Sequence, residues 1–167
     1  MISSRIVLTS QGQLPTAMLC HHHHSLSLLS SPRYILENSQ QPYALYIAAS
    51  ALTCNVTRAS AGLTAAERLQ LRSFLLEFLF SKPTVEAFVV HEVTKCIARV
   101  TKLSWFDADQ AEAYPARSVV QDASKFLDKG QEHLLAGVLL LNQQVSEMNQ
   151  PDSVRGLTKH RKVEHGC

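Results

Sequence analysis

The strongest constraint on this chain is its run of helical periods and the breaks between them. Five stretches of helical period succeed one another from Pro42 to Met148, with breaks that include Lys82–Pro83, the segment Trp105–Pro115 and Lys129–Gly130. Proline has no N–H to donate and pushes its predecessor out of helical geometry, so such positions end helices. In the first stretch Leu45, Ala48, Ala49 and Leu52 stand at i, i+3, i+4 and i+7, which places them on one helical face. The second opens with Thr64 and Glu67, spaced as a capping box, and carries the stripe Leu71, Phe74, Leu75 and Phe78. A third helix is expected from Thr84 to about Leu103, with Val89, Val93, Cys96, Ile97 and Val100 on its buried side. Pro115 suits the first turn of a fourth, over roughly 116–128, predicted to bury Val119, Val120, Ala123, Phe126 and Leu127. The fifth, from Gln131 to Met148, is predicted to bury Leu134, Leu135, Val138, Leu141, Val145 and Met148.

The spacing of these helices points to an architecture. Starts near Pro42, Thr84 and Gln131 stand 42 and 47 residues apart, the interval of HEAT or armadillo repeats. Two further helices fall between them, so the expected fold is all-α, with helix pairs stacked as a short HEAT-repeat solenoid. A five-helix bundle can produce the same spacing and is the alternative. Residues 32–150 form the repeat region on this reading. Residues 1–31, rich in Ser, Gln and Leu without a sustained period, are read as a disordered leader, and 151–167, basic around Lys159–Lys162, as a disordered tail.

Composition narrows the function. A chain of 167 residues, 46% hydrophobic and 18% charged, has the size and apolar content of one folded domain. Its 16 Lys and Arg against 14 Asp and Glu leave only +2, so no large field draws it to nucleic acid or an anionic membrane. The longest apolar runs, FLLEFLF and LLAGVLLL, fall well short of the roughly 18 residues that span a bilayer, and membrane insertion is not expected. No apolar stretch follows a basic start, so no secretory signal is expected either. Cys20, Cys54, Cys96 and Cys167 stand far apart and form no zinc-ligand spacing.

Chemical motifs are sparse. His21–His24 could ligate a divalent metal, but the run lies in the leader, where no second shell is assured. His91 and Glu92 begin an HExxH pattern that fails at Lys95. Glu132 and His133 are adjacent, so they point to different sides of a helix and are read as solvated. Asn55–Thr57 matches a glycosylation acceptor by chance, at the end of a helix. No phosphate loop or nucleophile elbow occurs. Trp105 and Phe106 sit where a helix gives way to a loop and are read as closing the core there, with a partner anchor as the alternative. No enzyme activity, cofactor or metal site is expected; a small helical metal protein or enzyme is the rival from another class.

The stretches RVTKLSWFDADQ and LNQQVSEMNQPDSVRGLTKHRKV resemble the exportin seven branch of the importin-beta family, which includes the Ran-binding proteins sixteen and seventeen. The likeness continues through YALYIAASALTCNVTR and AAERLQLRSFLLEFL and covers about four-fifths of the chain. It implies a HEAT-repeat superhelix and a truncated, N-terminal piece of a nuclear transport receptor. It further implies binding of Ran GTPase in its GTP form, of protein cargo and of nuclear pore components, with shuttling between cytoplasm and nucleus. The resemblance also makes the helices at Pro42, Thr84 and Gln131 the inner members of their pairs. His91, Lys95, Lys102 and Glu147 are then candidate contacts on the face opposite the core. Residues 1–31 do not resemble the family's opening helices, and the pattern stops after LTKHRKV. A helical adaptor, or an inactive splice or gene-model fragment, is the alternative among binding proteins.

Overall fold

The structure is a computed structural model that describes residues 29–58, 62–107 and 114–150. His21–His24 and the basic tail lie outside these residues. All regular structure among them is helical. Helix α1 occupies 29–38 and begins within the span read as leader; α2 is Pro42–Arg58, α3 Ala65–Ser81, α4 Ala87–Leu103, α5 Val119–Lys129 and α6 Gln131–Asn149, with a 3-10 turn at Pro115–Arg117 before α5. Helix α4 packs against α2 on one side and α6 on the other, while α3 packs on α4 and α5 on α6. The pairs α3–α4 and α5–α6 thus stack as antiparallel hairpins, consistent with a HEAT-type solenoid.

Local chemistry sets the helix ends. Thr64 accepts from the Glu67 N–H while the Glu67 carboxylate accepts from the Thr64 N–H, so two otherwise unpaired donors of α3 are satisfied reciprocally. Gly130, at φ +130° and ψ −179°, turns the chain between α5 and α6 in a conformation closed to L side chains. At Gly137 a Cβ would come within 2.9 Å of Leu127 Cδ2 and 3.2 Å of Phe126 Cβ, so the missing side chain is what brings α6 so close to α5.

The core is assembled from the faces read in α2 and α4: Leu45, Ala48, Ala49 and Leu52 meet Val89, Val93, Cys96, Ile97 and Val100, all buried. Leu71, Leu75 and Phe78 of α3 join them, with Phe74 half-buried. Helix α1 is added through fully buried Leu36, whose carbonyl accepts from Lys82 Nζ at 3.0 Å.

Two expectations are corrected. Helix α6 does not bury its Leu and Val stripe: Leu134, Leu135, Val138 and Val145 are exposed and Leu141 and Met148 half-buried, whereas His133, Ala136, Gly137, Leu140, Gln144 and Glu147 face inward. Small residues win this face because they permit close helix approach. In α5, Val120 and Leu127 are likewise exposed, and Val119, Asp122, Ala123 and Phe126 are buried.

A buried charge joins the layers. Arg72 of α3 donates through Nη2 to Asp122 of α5 at 2.7 Å and through Nε to Thr101 of α4 at 3.0 Å. Burial alone would raise the Asp122 carboxyl, but hydrogen bonds from Arg72, Lys125 and Ser118 and the Arg72 charge outweigh it and hold it below its ordinary 3.8. A depressed carboxyl stabilises the fold fully above its unfolded value and loses that contribution as pH falls through its lower folded value. Asp122→Ala is therefore expected to cost about 3 kcal/mol at neutral pH, in chemical denaturation, and the gap to wild type should narrow as pH falls below 3.8. Gly130→Ala, with no atom near the added methyl, should cost about 1–3 kcal/mol through backbone strain alone, read as a lowered denaturation midpoint at unchanged m-value.

Candidate functional site

The side of the α2–α4–α6 layer left open presents one line of α4 residues, Phe88, His91, Lys95 and Arg99, at i, i+3 and i+4 spacing. Phe88 meets Tyr43 of α2 at 5.5 Å between ring centroids and Tyr46 edge-on at 5.9 Å. With Ile47 these rings make an apolar ledge, Tyr43 being 76% and Ile47 64% exposed. Residues of this kind dominate protein–protein contacts, since Tyr and Phe bring large contact area with few rotatable bonds. The sequence reading followed only the core face of α2 and passed over these residues. Tyr43 and Ile47, four apart and both off that face, were the available signal.

Of the four candidate contacts, His91 and Lys95 are exposed on this side. The Gln143 amide of α6 hydrogen-bonds His91 Nε2 at 2.9 Å, tying the ring to the neighbouring helix. Lys95 lies 3.4 Å from both carboxylate oxygens of buried Glu92, leaving half its own side chain in solvent.

Lys102 and Glu147 differ from the expected placement: they are only 4% and 5% exposed, inside the seam between α4 and α6. Lys102 has the angular position expected of it, on the line of His91 and Lys95, but the carbonyl end of α6 lies over it. Its Nζ donates to the carbonyls of Glu147 at 2.8 Å and Gln150 at 3.0 Å, groups a helix end leaves unpaired. The Glu147 carboxylate sits 3.1 Å from Arg99 Nη1 and 3.9 Å from Lys102 Nζ. Beside them the side-chain amide of buried Gln144 makes no hydrogen bond.

The remaining sequence candidates fall elsewhere. His133, expected in solvent, is buried at the start of α6, where Nε2 donates to the Phe80 carbonyl at 3.0 Å and the ring lies against Phe80 and Phe126. A carbonyl only accepts, so this nitrogen carries its proton. Trp105 is half-buried and Phe106 exposed; Arg117 stacks on Tyr114 at 3.8 Å and reaches both rings, so the pair is built into the loop before α5. Asn55–Thr57 lies within α2, with the Thr57 hydroxyl donating to the Thr53 carbonyl. Burial pushes the Cys96 thiol up to about 12, against a hydrogen bond from Thr53, which keeps it a non-nucleophilic thiol. A groove of about 370 Å³ between α3 and α5 is floored by Leu76, Phe80 and Phe126, and its charged lining is the Arg72–Asp122 pair with Glu77 and Lys125. Among the described residues no cluster of His, Cys, Asp and Glu could hold a metal ion, and no helix is long and apolar enough to cross a membrane.

The stacked antiparallel hairpins define a helical-repeat protein of the HEAT type. The chain is 37% identical over 139 residues to Exportin-7-A of Xenopus laevis, a match covering 83% of this chain and 13% of that protein. It is 35% identical over 135 residues to Ran-binding protein 17 of Homo sapiens, covering 81% and 12%, and 33% identical over 142 residues to Ran-binding protein 16 of Drosophila melanogaster, covering 83% and 12%. The chain belongs to the exportin-7 branch of the importin-beta family and spans about an eighth of the length of the curated relatives it matches. No family model and no solved structure matches it.

The two lysines provide a direct check on the geometry. Lys102→Met leaves the Glu147 and Gln150 carbonyls at the end of α6 without their buried donor and should cost about 3 kcal/mol. Lys95→Met, half in solvent but facing buried Glu92, should cost less, about 1 kcal/mol, both measured by urea denaturation.

Proposed function

We propose that the chain is the Ran-recognising part of an exportin-like nuclear transport receptor. It binds the GTPase in its GTP form through the open side of α2 and α4, by non-covalent recognition without catalysis. The observation that carries this reading is the similarity to proteins named as exportins and Ran-binding proteins over four-fifths of the chain, joined to the exposed ledge of Tyr43, Tyr46, Ile47 and Phe88 beside His91 and Lys95. In this role Phe88 and Lys95 touch the partner, the first as an aromatic anchor and the second as a charge with solvent-facing reach. Lys102 and Glu147 act at one remove, by fixing α6 against α4.

The same reading assigns protein cargo and nuclear pore components as further partners, with shuttling between nucleus and cytoplasm. Those roles belong to the receptor as a whole, of whose relatives this chain spans about an eighth. The helical adaptor is the reading that remains if Ran does not bind.

Titration of the folded chain with Ran loaded with GTP or GDP tests the proposal. The GTP form should bind in clear preference, and Phe88→Ala and Lys95→Glu should each weaken it by at least about 1 kcal/mol, roughly fivefold. Equal affinity for the two forms, or no binding by a chain that melts cooperatively, sinks the assignment.

A further inference from the structure

Three rings in the connection from α4 to α5 hold a cation without neutralising it. The guanidinium carbon of Arg117 lies 3.8 Å from the Tyr114 ring centroid, and 5.6 and 5.8 Å from those of Trp105 and Phe106, all within reach of cation–π attraction. Its Nε donates to the Trp105 carbonyl at 3.0 Å. Arg33, Arg68, Arg72 and Arg99 each pair with a carboxylate. Among the described residues no carboxylate pairs with exposed Arg117, and its two terminal nitrogens have no hydrogen-bond partner. The setting is fixed on both sides: Arg68 grips the Asp107 carboxylate through Nε at 3.0 Å and Nη2 at 2.6 Å, and the turn Pro115–Arg117 seats fully buried Ala116. The arginine is therefore ordered before any partner arrives, which removes much of the entropic cost of using it.

The chemistry of the cluster identifies its complement. With Nε occupied, the two terminal nitrogens remain as a planar pair of donors that matches the two oxygens of a carboxylate. The match is one charge to one. From Leu103 to Ser118 the sequence has no Lys and no other Arg, so the further cations that a doubly charged phosphate calls for are not at hand. Phe106 and Tyr114, each 41% exposed, offer apolar area beside the charge, and Arg with large aromatic side chains is the composition of a binding hot spot. We propose that this cluster docks an acidic peptide segment of a partner protein, with an Asp or Glu carboxylate on Arg117 and a neighbouring apolar side chain on Phe106 and Tyr114. The surface follows the end of α4, about 25 Å along that helix from Phe88, and is independent of Ran recognition.

Trp105 is the one Trp of the chain, so its fluorescence reads this surface directly. The probe is a short peptide with blocked ends and one Glu between two Leu in a Gly–Ser frame, titrated into the full 167-residue chain. It should give a saturable change, and the same peptide with Gln for Glu should bind about fivefold more weakly. Arg117→Lys keeps the charge but not the paired donors and should weaken the Glu peptide alone. Arg117→Gln should abolish the difference between the two peptides while helical circular dichroism and cooperative melting stay intact. A peptide with phosphoserine in place of Glu should bind no more tightly. The proposal is overturned by the lack of a saturable change, by equal affinity for the Glu and Gln peptides, by tighter binding of phosphoserine, or by a preference for Glu that survives Arg117→Gln. Binding that appears only when Asp109→Asn is combined with Glu112→Gln overturns it too, since the chain's own acids then occupy Arg117.

Discussion

The arrangement rests on one buried cation. Arg72 lies where α3, α4 and α5 converge, and its donors are divided between the Asp122 carboxylate and the Thr101 hydroxyl. Helices α3 and α5 are separated by a groove whose floor includes the edge-on contact of Phe80 with Phe126. The Arg72–Asp122 bond adds a directional link to that apolar contact, and α5 in turn approaches α6 closely at Gly137. A buried ion pair of this kind contributes little net stability compared with an apolar replacement of the same shape, yet losing either partner is costly. Its effect is to fix geometry: the α2–α4–α6 layer is held in place from the layer behind it.

The seam between α4 and α6 follows the same logic with different chemistry. Lys102 satisfies carbonyls at the end of α6, Arg99 neutralises Glu147, and His91 is hydrogen-bonded to Gln143 nearer the surface. By contrast α2 meets α4 through aliphatic side chains and through the aromatic contacts of Phe88. One inner layer thus has an apolar joint and a polar joint. The polar joint defines register, because each of its bonds has a single geometrically acceptable partner. The unpaired amide of Gln144 lies in that joint.

How much of this could be read from the sequence depended on whether a helix had one plausible inward face or two. Helix α4 offered one, and Val89, Val93, Cys96, Ile97 and Val100 are all buried as expected. The capping box at Thr64 was readable because its chemistry is local. Helix α6 offered two faces. Periodicity groups residues onto a face but does not say which way that face points, and the larger side chains of Leu134, Val138 and Val145 outweighed Ala136, Gly137 and Leu140 in the reading. The inward face carries polar His133 and Glu147, which a sequence pattern assigns to solvent; each is accommodated by a feature distant in sequence, the Phe80 carbonyl for His133 and Arg99 for Glu147. Helix α1 escaped notice because Pro32 breaks the pattern and Leu36 is its one fully buried aliphatic residue. Membership of the importin-beta family was readable, since it rests on specific stretches of residues and not on which way a face points.

The grip of Lys102 on Glu147 and Gln150 also bears on motion. The last turn of a helix ordinarily frays, because its carbonyls lack intrahelical partners and water competes for them. Here a buried ammonium from another helix holds two of those carbonyls, so unwinding the end of α6 exposes a cation in the interior. Opening there is coupled to opening of the α4–α6 seam, and the terminus belongs to the cooperative unit. Whatever the chain does beyond Gln150, it begins from an anchored point.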